Sequence, residues 1–409
     1  MDRTQTDIIV AGGGVAGLTA ATAFGTEGFR VICVDPAPPV TDGTAPGADL
    51  RTTAFLQPAR ALLEAAGIWD RLIPEAMPLD VMRIMDAGGR EGQPRVTRDF
   101  NSADLGDEPF GWNFRNWVLR REILARLHSL PDVDFRPGIG FARMVARENS
   151  VIVTLSDGQV IEGRMLVACD GRDSAVREAC GIAARTLRYG QKALSFAVTH
   201  PVPHDNVSTE IHREGGPFTF VPLPDHNGRP CSAIVWMERG PEAQRLAALP
   251  RAAFEAEATE RSTGLLGALH LVAGPQLWPI ISRIADRMDG PRTALMAEAA
   301  HVVPPIGAQG LNMSLADLAC LLDLARADRD GIGNRQMLAT YHRRRHPEIA
   351  IRVAGVDALN RASMASSPML HDLRAMGVKA LHDVAPIRKT LMRLGLGLGR
   401  GAKGTVKRG

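Results

Sequence analysis

Three glycines near the amino terminus have the spacing Gly12-x-Gly14-x-x-Gly17. Between an apolar strand and a helix, such glycines permit a tight turn, let the backbone approach a pyrophosphate, and allow the helix to pack closely on the strand. The free N–H groups and the dipole of the helix N-terminus then favour phosphate. Asp35 lies eighteen residues beyond Gly17 and can accept hydrogen bonds from a ribose. The pattern predicts an adenine dinucleotide site, without distinguishing FAD from NAD.

A second acidic residue, Asp170, follows a short apolar run at 165–169 and opens the segment DGRDSAVR. A carboxylate at the end of a strand can face a bound cofactor, and Ser174 can cap the helix that follows. The segment by itself is equally typical of an ordinary strand-to-helix turn that contains an Asp–Arg pair.

A third acidic residue, Glu298, lies at the end of an apolar run at 293–297, and the loop PPIGAQGLN follows at 304–312. Glycines at 307 and 310 let backbone N–H groups approach a flat ring system closely. N–H groups at the start of a helix can stabilise negative charge on a reduced ring. The alternative is a loop of proline and glycine that has a structural role only.

The elements around the first motif alternate between apolar runs and one helix-prone segment. Apolar runs at 8–11 and 31–34 flank a helix predicted at 18–27, which gives a βαβ unit of about 30 residues. Such short continuous runs suit a parallel sheet buried on both faces. Residues from about 193 to 237 indicate several β-strands, a helix is predicted from about 311, and the chain beyond 335 is mostly helical.

The sequence therefore predicts an α/β fold with a Rossmann-like nucleotide-binding domain that is discontinuous in sequence. A β-sheet domain is inserted into it, and a helical region with a basic tail follows. The predicted boundaries are 1–75, 100–185 and 280–335 for the nucleotide-binding domain, 76–99 and 186–279 for the β-sheet domain, and 336–409 for the C-terminal region.

Composition excludes several other classes of protein. The net charge of +3 is too small to indicate nucleic-acid binding. Five isolated cysteines without a CxxC pair indicate neither a zinc ribbon nor a disulfide framework, and no metal site is predicted. The first apolar run leads straight into the glycine loop without a signal-peptide cleavage site, and no stretch approaches the ~20 apolar residues of a membrane helix. We expect a cytoplasmic protein, or one peripheral to the inner membrane.

Taken in this order, the three motifs resemble those of the para-hydroxybenzoate hydroxylase-like flavoprotein monooxygenases, from residue 7 to about 393. Within them the chain is most similar to the ubiquinone-biosynthesis hydroxylases, through PPIGAQGLN and the segments YHRRR at 341–345 and DALNR at 357–361. The resemblance implies hydroxylation of the aromatic ring of a polyprenylated phenol through a flavin C4a-hydroperoxide. It also implies FAD as cofactor, NADH or NADPH as reductant, and dioxygen as co-substrate.

The resemblance further implies which residues contact FAD. They are Gly12, Gly14, Gly17, Asp35, Arg51, Arg120, Asp170, Glu298, Gly307, Gln309, Gly310, Leu311 and Asn312. The first three would hold the pyrophosphate, Asp35 the adenosine ribose, and Glu298 the ribityl chain. Arg51 would lie beside the flavin and is the one catalytic candidate, while Arg120 would reach the phosphate and ribityl region. Asp170 would serve both FAD and the nicotinamide, and the residues from 307 to 312 would line the isoalloxazine.

Two positions depart from the family pattern, and both keep the chemical group. The family usually has Gly-Asp where this chain has Ala297-Glu298, which places the carboxylate one methylene further out and adds a Cβ at a point of close approach. Asp35 stands where glutamate is common. In the inserted sheet, the candidates for the substrate wall are aromatic or cyclic residues, which are also typical of a plain core: Phe218, Phe220, Pro222 and Trp236.

Several readings stay open. The same fold could act on another aromatic substrate, or the chain could be a non-catalytic FAD-binding subunit of a ubiquinone-synthesis complex. A plain NAD-linked dehydrogenase would explain only the first motif. Residues 386–409 carry seven basic and no acidic residues, so this tail could approach anionic lipid headgroups or simply be solvated. His301 is interpreted as structural. The oligomeric state and the ring carbon that is hydroxylated are not indicated.

Overall fold

A computed structural model describes residues 3–87, 94–364 and 385–396 of the chain. Its strands are β1 (Thr4–Gln5), β2 (Ile8–Ala11), β3 (Val31–Asp35), β4 (Thr52–Leu56), β5 (Met77–Leu79), β6 (Val81–Asp86), β7 (Val96–Asn101), β8 (Gly111–Arg115), β9 (Val133–Pro137), β10 (Phe141–Ala146), β11 (Val151–Leu155), β12 (Val160–Gly163), β13 (Met165–Ala168), β14 (Ala184–Thr199), β15 (Val207–Arg213), β16 (Gly216–His226), β17 (Arg229–Arg239), β18 (His270–Ala285), β19 (Asp289–Gly290), β20 (Thr293–Leu295) and β21 (His301–Val302). Its α-helices are α1 (Val15–Thr26), α2 (Gln57–Ala65), α3 (Trp69–Leu72), α4 (Asn116–Leu127), α5 (Ala175–Ala179), α6 (Gly240–Ala247), α7 (Arg251–Arg261), α8 (Gln309–Ala327), α9 (Arg335–Met364) and α10 (Ala385–Leu396). Short 3₁₀ helices lie at Ile73–Glu75, Ser102–Asp104 and Ala297–Ala299.

A six-stranded sheet with the order β19-β20-β13-β2-β3-β9 forms the nucleotide-binding half, and all of its strands except β19 run parallel. Strands β2 and β13 are buried along their whole length, as their unbroken apolar sequences predict. Ala168 is paired with Ala11 on one side and with Leu295 on the other. The carboxyl ends of β2, β13 and β20 therefore lie level at one edge of the sheet.

An eight-stranded sheet with the order β21-β18-β14-β17-β16-β15-β6-β7 forms the other half. Helices α6 and α7 cover one of its faces, where Phe254 of α7 packs on Phe196 with ring centroids 4.9 Å apart. A small sheet, β4-β8-β5, contacts β16 and joins the two halves. The fourth sheet, β1-β12-β11-β10, contains the hairpin predicted at Asp157-Gly158.

The α/β fold class is confirmed, with small differences in the limits of the elements. Helix α1 begins at Val15, so its first turn belongs to the glycine motif itself. Strand β20 ends at Leu295 because Ala297 turns the chain into a 3₁₀ helix, and α8 begins at Gln309, directly after a left-handed Ala308. The exact domain boundaries stay a prediction. Residues 88–93 of the predicted β-sheet domain and 397–409 of the basic tail lie outside the described residues.

Where the chain is described, no helix has the length and apolar character that crossing a bilayer requires.

A buried ionic network ties α8 and α9 to the six-stranded half. Asp317 of α8 is fully buried, lies 2.6 Å from Nε2 of His301, and accepts a hydrogen bond of 2.8 Å from Nε of Arg345. The hydroxyl of Tyr341, on the same turn of α9 as Arg345, donates to the carbonyl of Leu295 at 2.8 Å. His301 is therefore occupied by a structural partner, in agreement with its interpretation from the sequence.

Replacing Asp317 should test this network, because Asp317→Asn removes the fully buried counter-charge of Arg345 and leaves only Glu348, whose side chain is 44% exposed. We expect the free energy of unfolding to fall by about 3–5 kcal/mol, measured by urea denaturation at fixed FAD concentration. The matched control is Asp323→Asn on the same helix, whose side chain is 67% exposed. It should change stability by less than about 0.5 kcal/mol. Equal losses in the two variants would contradict the assignment.

Candidate functional site

The glycine loop has two kinds of glycine, which differ in what a side chain would meet. Gly12 has φ +111°, and an added Cβ would lie 2.2 Å from the carbonyl oxygen of Cys169. At Gly17 it would lie 1.8 Å from the carbonyl oxygen of Gly12. These two glycines are required by the packing of the protein itself. Gly14, by contrast, has no atom within 4 Å of that point and begins α1 without a capping side chain.

Asp35 is held against this loop by two backbone hydrogen bonds. Its Oδ2 accepts from the N–H of Gly13 at 2.5 Å, and its Oδ1 accepts from the N–H of Ala37 at 2.8 Å. Because a carboxylate oxygen can accept a second hydrogen bond, both oxygens can still bind ribose hydroxyl groups. The contact of Asp35 with the adenosine ribose stays a prediction.

Asp170 organises the turn between β13 and α5. It accepts hydrogen bonds from the hydroxyl of Ser174 at 2.5 Å and from the N–H of Val176 at 3.0 Å. Ser174 in turn caps α5 by accepting from the N–H of Arg177 at 2.9 Å, as the sequence predicts. These contacts agree with the structural alternative for this motif. A contact of Asp170 with FAD and the nicotinamide stays a prediction.

Glu298 forms an ion pair that joins the second motif to the third. Its two carboxylate oxygens lie 3.1 and 3.4 Å from the guanidinium nitrogens of Arg172, and its side chain is 45% exposed. The preceding Ala297 has φ +54°, in the left-handed region that favours glycine. The chain therefore departs from the usual Gly-Asp in two ways: alanine holds a left-handed backbone conformation in place of glycine, and glutamate replaces aspartate.

Asp49 is the centre of a buried cluster that includes both predicted arginines. Arg51 donates to its two oxygens at 2.8 and 2.7 Å, Asn116 donates at 3.0 Å, and Arg120 lies at 3.5 Å. Burial would raise the pKa of Asp49, but the hydrogen bonds and charge of Arg51, with Asn116 and Arg120, outweigh it and lower the pKa. Arg51 also stacks on Trp278, with its guanidinium carbon 4.0 Å from the ring centroid.

The electrostatics of Arg51 link this cluster to the third motif. Burial lowers the pKa of Arg51, but the hydrogen bonds and charge of Asp49 and the charge of Glu298 outweigh it and raise the pKa. Arg51 and Glu298 are separated by about 250 residues in sequence, yet each lies within the other's field.

The loop at 304–312 ends in a helix N-terminus without a capping side chain. Ala308 is the N-cap of α8 with φ +55°, and Gly310 has no atom within 4 Å of an added Cβ. The amide of Asn312 joins α8 to β4, accepting from the N–H of Leu56 at 2.9 Å and donating to Ala54 at 2.7 Å. Gln309 donates to the carbonyls of Gly307 and Gly395. The side-chain amides of Asn312 and Gln309 are thus engaged by protein groups, while open space faces the backbone at Gly310.

The eight-stranded sheet presents one of its faces to this loop. A small apolar cluster of Ala193, Met237 and Ile280 has Tyr189, Val235 and Ile306 packed against it, and Ile306 belongs to the loop itself. Trp236 lies between Val235 and Met237, so its side chain points to the opposite face. This second face is the one that α6 and α7 cover.

The four residues proposed for a substrate wall share that helix-covered face. Phe218 and Trp236 are register partners with ring centroids 5.5 Å apart, Phe220 is 1% exposed, and Pro222 follows two residues later in the same register. Their position gives no support to a wall role, because a strand sends alternate side chains to opposite faces and these four point away from the loop.

Comparison with known proteins shows which family this chain belongs to. A family model described as an FAD binding domain matches residues 5–354. The ubiquinone hydroxylase UbiL of Rhodospirillum rubrum is 34% identical over 397 residues, which cover 96% of this chain and 89% of that protein. The 3-demethoxyubiquinol 3-hydroxylase of Escherichia coli is 26% identical, with 97% and 100% of the two chains covered.

The chain belongs to this family of FAD-binding hydroxylases. The solved structure of p-nitrophenol 4-monooxygenase PnpA from Pseudomonas putida superposes with a TM-score of 0.79 at 18% identity, covering 98% of this chain and 100% of that one, and shows the same fold. The predictions of the family, of FAD as cofactor, and of an NAD(P)H-using flavin monooxygenase are confirmed by this membership.

The flavoprotein site fits FAD by its own geometry. Open space faces the backbone at Gly14 and at Gly310, at the start of two helices whose first N–H groups have no capping side chain. The first can hold the pyrophosphate and the second can approach the isoalloxazine. Asp35 lies beside the first, where its carboxylate contacts the N–H of Gly13.

Among the buried side-chain atoms of the described residues that have no hydrogen-bond partner, three belong to strands β8 and β18, and sequence analysis missed these three residues. They are Oδ1 of Asn113, Oε1 of Gln276 and Nε1 of Trp278. Gln276 reaches across to donate to the carbonyl of Ala48, and the ring of Trp278 lies against Arg51. Such atoms are costly unless a ligand or water binds them. The available signal was an asparagine within the otherwise apolar strand GWNFR.

Replacing Gly14 should separate cofactor binding from folding. Gly14→Ala places a methyl group in space that the protein leaves open, so we expect the apoprotein Tm to stay unchanged and the Kd for FAD to rise about tenfold or more. Flavin fluorescence titration measures the Kd. The control is Gly106→Ala, at an exposed glycine that also has no atom within 4 Å of an added Cβ. An unchanged Kd for Gly14→Ala would argue against a pyrophosphate at this loop.

The left-handed Ala297 predicts a difference between two neighbouring variants. Ala297→Gly and Ala300→Gly both remove a buried methyl group, but only Ala297 has a positive φ, whereas Ala300 has φ −97°. We expect Ala297→Gly to be the more stable of the two by about 1–2 kcal/mol, measured by urea denaturation. Equal stability would mean that the left-handed conformation costs nothing here.

Proposed function

We propose that this flavoprotein hydroxylates the aromatic ring of a polyprenylated phenol, a precursor of ubiquinone. The observation that carries the proposal is the apolar face of the eight-stranded sheet, with Ala193, Val235 and Met237, set against Ile306 at the start of α8. Ala193 and Met237 are buried in this cluster, whereas Val235 and Ile306 are only partly buried and are the residues that can contact a flat aromatic substrate. The relatives named as ubiquinone hydroxylases, which align over nearly the whole chain, support this choice of substrate.

The residues of the chain have separable tasks in this proposal. When bound, FAD supplies the redox chemistry, with electrons from NADH or NADPH and oxygen from dioxygen. The N-terminus of α1 and Asp35 hold the adenosine and pyrophosphate end. The N-terminus of α8 stabilises negative charge at the ring end through its dipole and free N–H groups. The apolar cluster around Ile306 excludes water from the substrate, which strengthens these electrostatic interactions.

The roles of the individual predicted residues belong to the same proposal. We assign Arg51 to the flavin side of the site, because its guanidinium is fixed by Asp49 and Trp278 and lies in the field of Glu298. Arg120 shares Asp49 with it and faces the same region. The substrate wall is reassigned from Phe218, Phe220, Pro222 and Trp236 to the opposite face of their strands. There Thr219, Val221 and Val235 are half-buried.

A peripheral association with the inner membrane or with a ubiquinone-synthesis complex is proposed on the chemistry of the substrate. A polyprenyl chain partitions into a bilayer, and the C-terminal residues from 386 onward are basic. In the described part of this tail, Lys389 and Arg393 of α10 are exposed, so they can meet anionic headgroups. The FAD-binding domain in this proposal keeps its predicted limits of 1–75, 100–185 and 280–335.

The test is product analysis with isotopically labelled dioxygen. The FAD-loaded enzyme, NADH or NADPH, and a prenylated phenol should give a product that carries one labelled hydroxyl oxygen, detected by mass spectrometry. Labelled water with ordinary dioxygen should give no label. A product without label from dioxygen would contradict the hydroxylase proposal. Equal turnover of an unrelated phenol without a prenyl chain would favour another aromatic substrate.

A further inference from the structure

A groove lies outside the candidate flavin site, between β14, β18 and α9. It is a cavity of about 340 Å³ with an apolar lining that includes Leu187, Ile284, Ala350, Val353 and Ala354. This volume lies within the range of ~300–1,000 Å³ that small-molecule sites occupy. We infer that this groove binds the hydrocarbon tail of the substrate. The inference rests on the proposed function, which supplies a substrate with such a tail.

The charged residues at the rim of the groove do not make it polar, because other groups engage them. Arg283 donates to the hydroxyl of Thr186 at 2.9 Å and pairs with Asp173 at 3.1 Å. Arg185 pairs with Asp286 at 3.4 Å. What remains open to a ligand is hydrocarbon, and Leu187 is one of the more exposed large apolar residues of the described chain. This favours an isoprenoid occupant over a dinucleotide, because Arg283 is largely buried and engaged, which leaves Arg185 as the one arginine of the lining that is open to a phosphate.

At one end of the groove, Tyr189 links its lining to the apolar cluster where the aromatic ring is proposed to bind. There the hydroxyl of Tyr189 donates to Asp357 and contacts Ser282, both at 2.7 Å, and Asp357 and Ser282 line the groove. The ring of Tyr189 packs with Ile306 against the cluster of Ala193 and its neighbours. Tyr189 therefore stands between the groove and the flavin loop.

The hydrogen bonds of Tyr189 hold its ring in one position. Burial raises the pKa of Tyr189 to about 12, and Asp357 adds to the shift, whereas Ser282 opposes it. The phenol is therefore protonated at neutral pH and remains a donor to Asp357. A substrate whose ring lies beside Ile306 would pass its tail along Tyr189 into the groove, where α9 covers it.

The test fills the groove and compares substrates of different tail length. Ala354→Phe places a bulky ring in the lining of α9. Ala362→Phe is the matched control, because Ala362 is exposed on the same helix, two turns further on, and lies outside the groove. For Ala354→Phe we expect kcat/KM to fall about tenfold or more with a long-chain prenylated phenol and to stay within about twofold with the same phenol lacking the chain. Ala362→Phe should change neither value.

A binding measurement makes the inference independent of turnover. Titration calorimetry with farnesol, an isoprenoid alcohol, should show binding to the unchanged FAD-loaded enzyme and to Ala362→Phe, and loss of binding in Ala354→Phe. Flavin absorbance and Tm report whether each variant is folded and loaded. If the unchanged enzyme hydroxylated neither the prenylated phenol nor the phenol without a chain, the proposed function would be wrong. The farnesol titration would still show whether the groove binds an isoprenoid.

Three results would overturn the assignment of the groove. The first is an equal loss of kcat/KM with both phenols in Ala354→Phe. The second is a rise in KM for NADH or NADPH with no dependence on chain length, which would assign the groove to the reductant. The third is no binding of farnesol by the unchanged enzyme, or equal binding by Ala354→Phe.

Discussion

The parallel register of β2, β13 and β20 is the constraint on which the site depends. Because Ala168 pairs with both Ala11 and Leu295, three strands from distant parts of the chain end level with one another. In a parallel sheet, residues that follow such strands share one edge, and that edge is where open α/β sheets bind ligands. The glycine loop, the Asp170 turn and the Glu298 turn therefore lie at one edge of the sheet, although more than 280 residues separate the first from the last.

Two helix N-termini then give that edge its chemistry. Neither α1 nor α8 has a capping side chain, so their first N–H groups are available to a ligand that carries or develops negative charge. The cationic side chains nearby are restrained instead of free. Arg51 and Arg120 share the buried Asp49, and Arg172 pairs with Glu298. The backbone thus provides the binding groups, and the ion pairs fix the surfaces around them.

The alternation of side chains in the eight-stranded sheet separates the face that packs under α6 and α7 from the face that meets Ile306 of the loop before α8. On β16 and β17, the large aromatic residues face α6 and α7 and form the core, while smaller residues face the flavin loop. In our proposal a substrate ring binds on the face with the smaller side chains, because they leave room for it. The sequence analysis chose the aromatic residues as substrate-wall candidates, yet large aromatic side chains are also typical of a buried core. Tyr189, which packs against the cluster on this face, hydrogen-bonds to Ser282 and Asp357 of the groove beside α9.

The sequence by itself determined the motifs, the family and the α/β class, because strand-turn-helix units with glycine at fixed positions are local patterns. It also indicated that His301 is structural, which its buried contact with Asp317 bears out. Only the tertiary structure decided the partners of each charged residue. Asp49, Asn116 and Trp278 meet Arg51 from three separate elements, and no local pattern encodes such a meeting. The face on which Phe218 and Trp236 lie was likewise undetermined, because alternation gives two faces and only the packing of α6 and α7 shows which is buried.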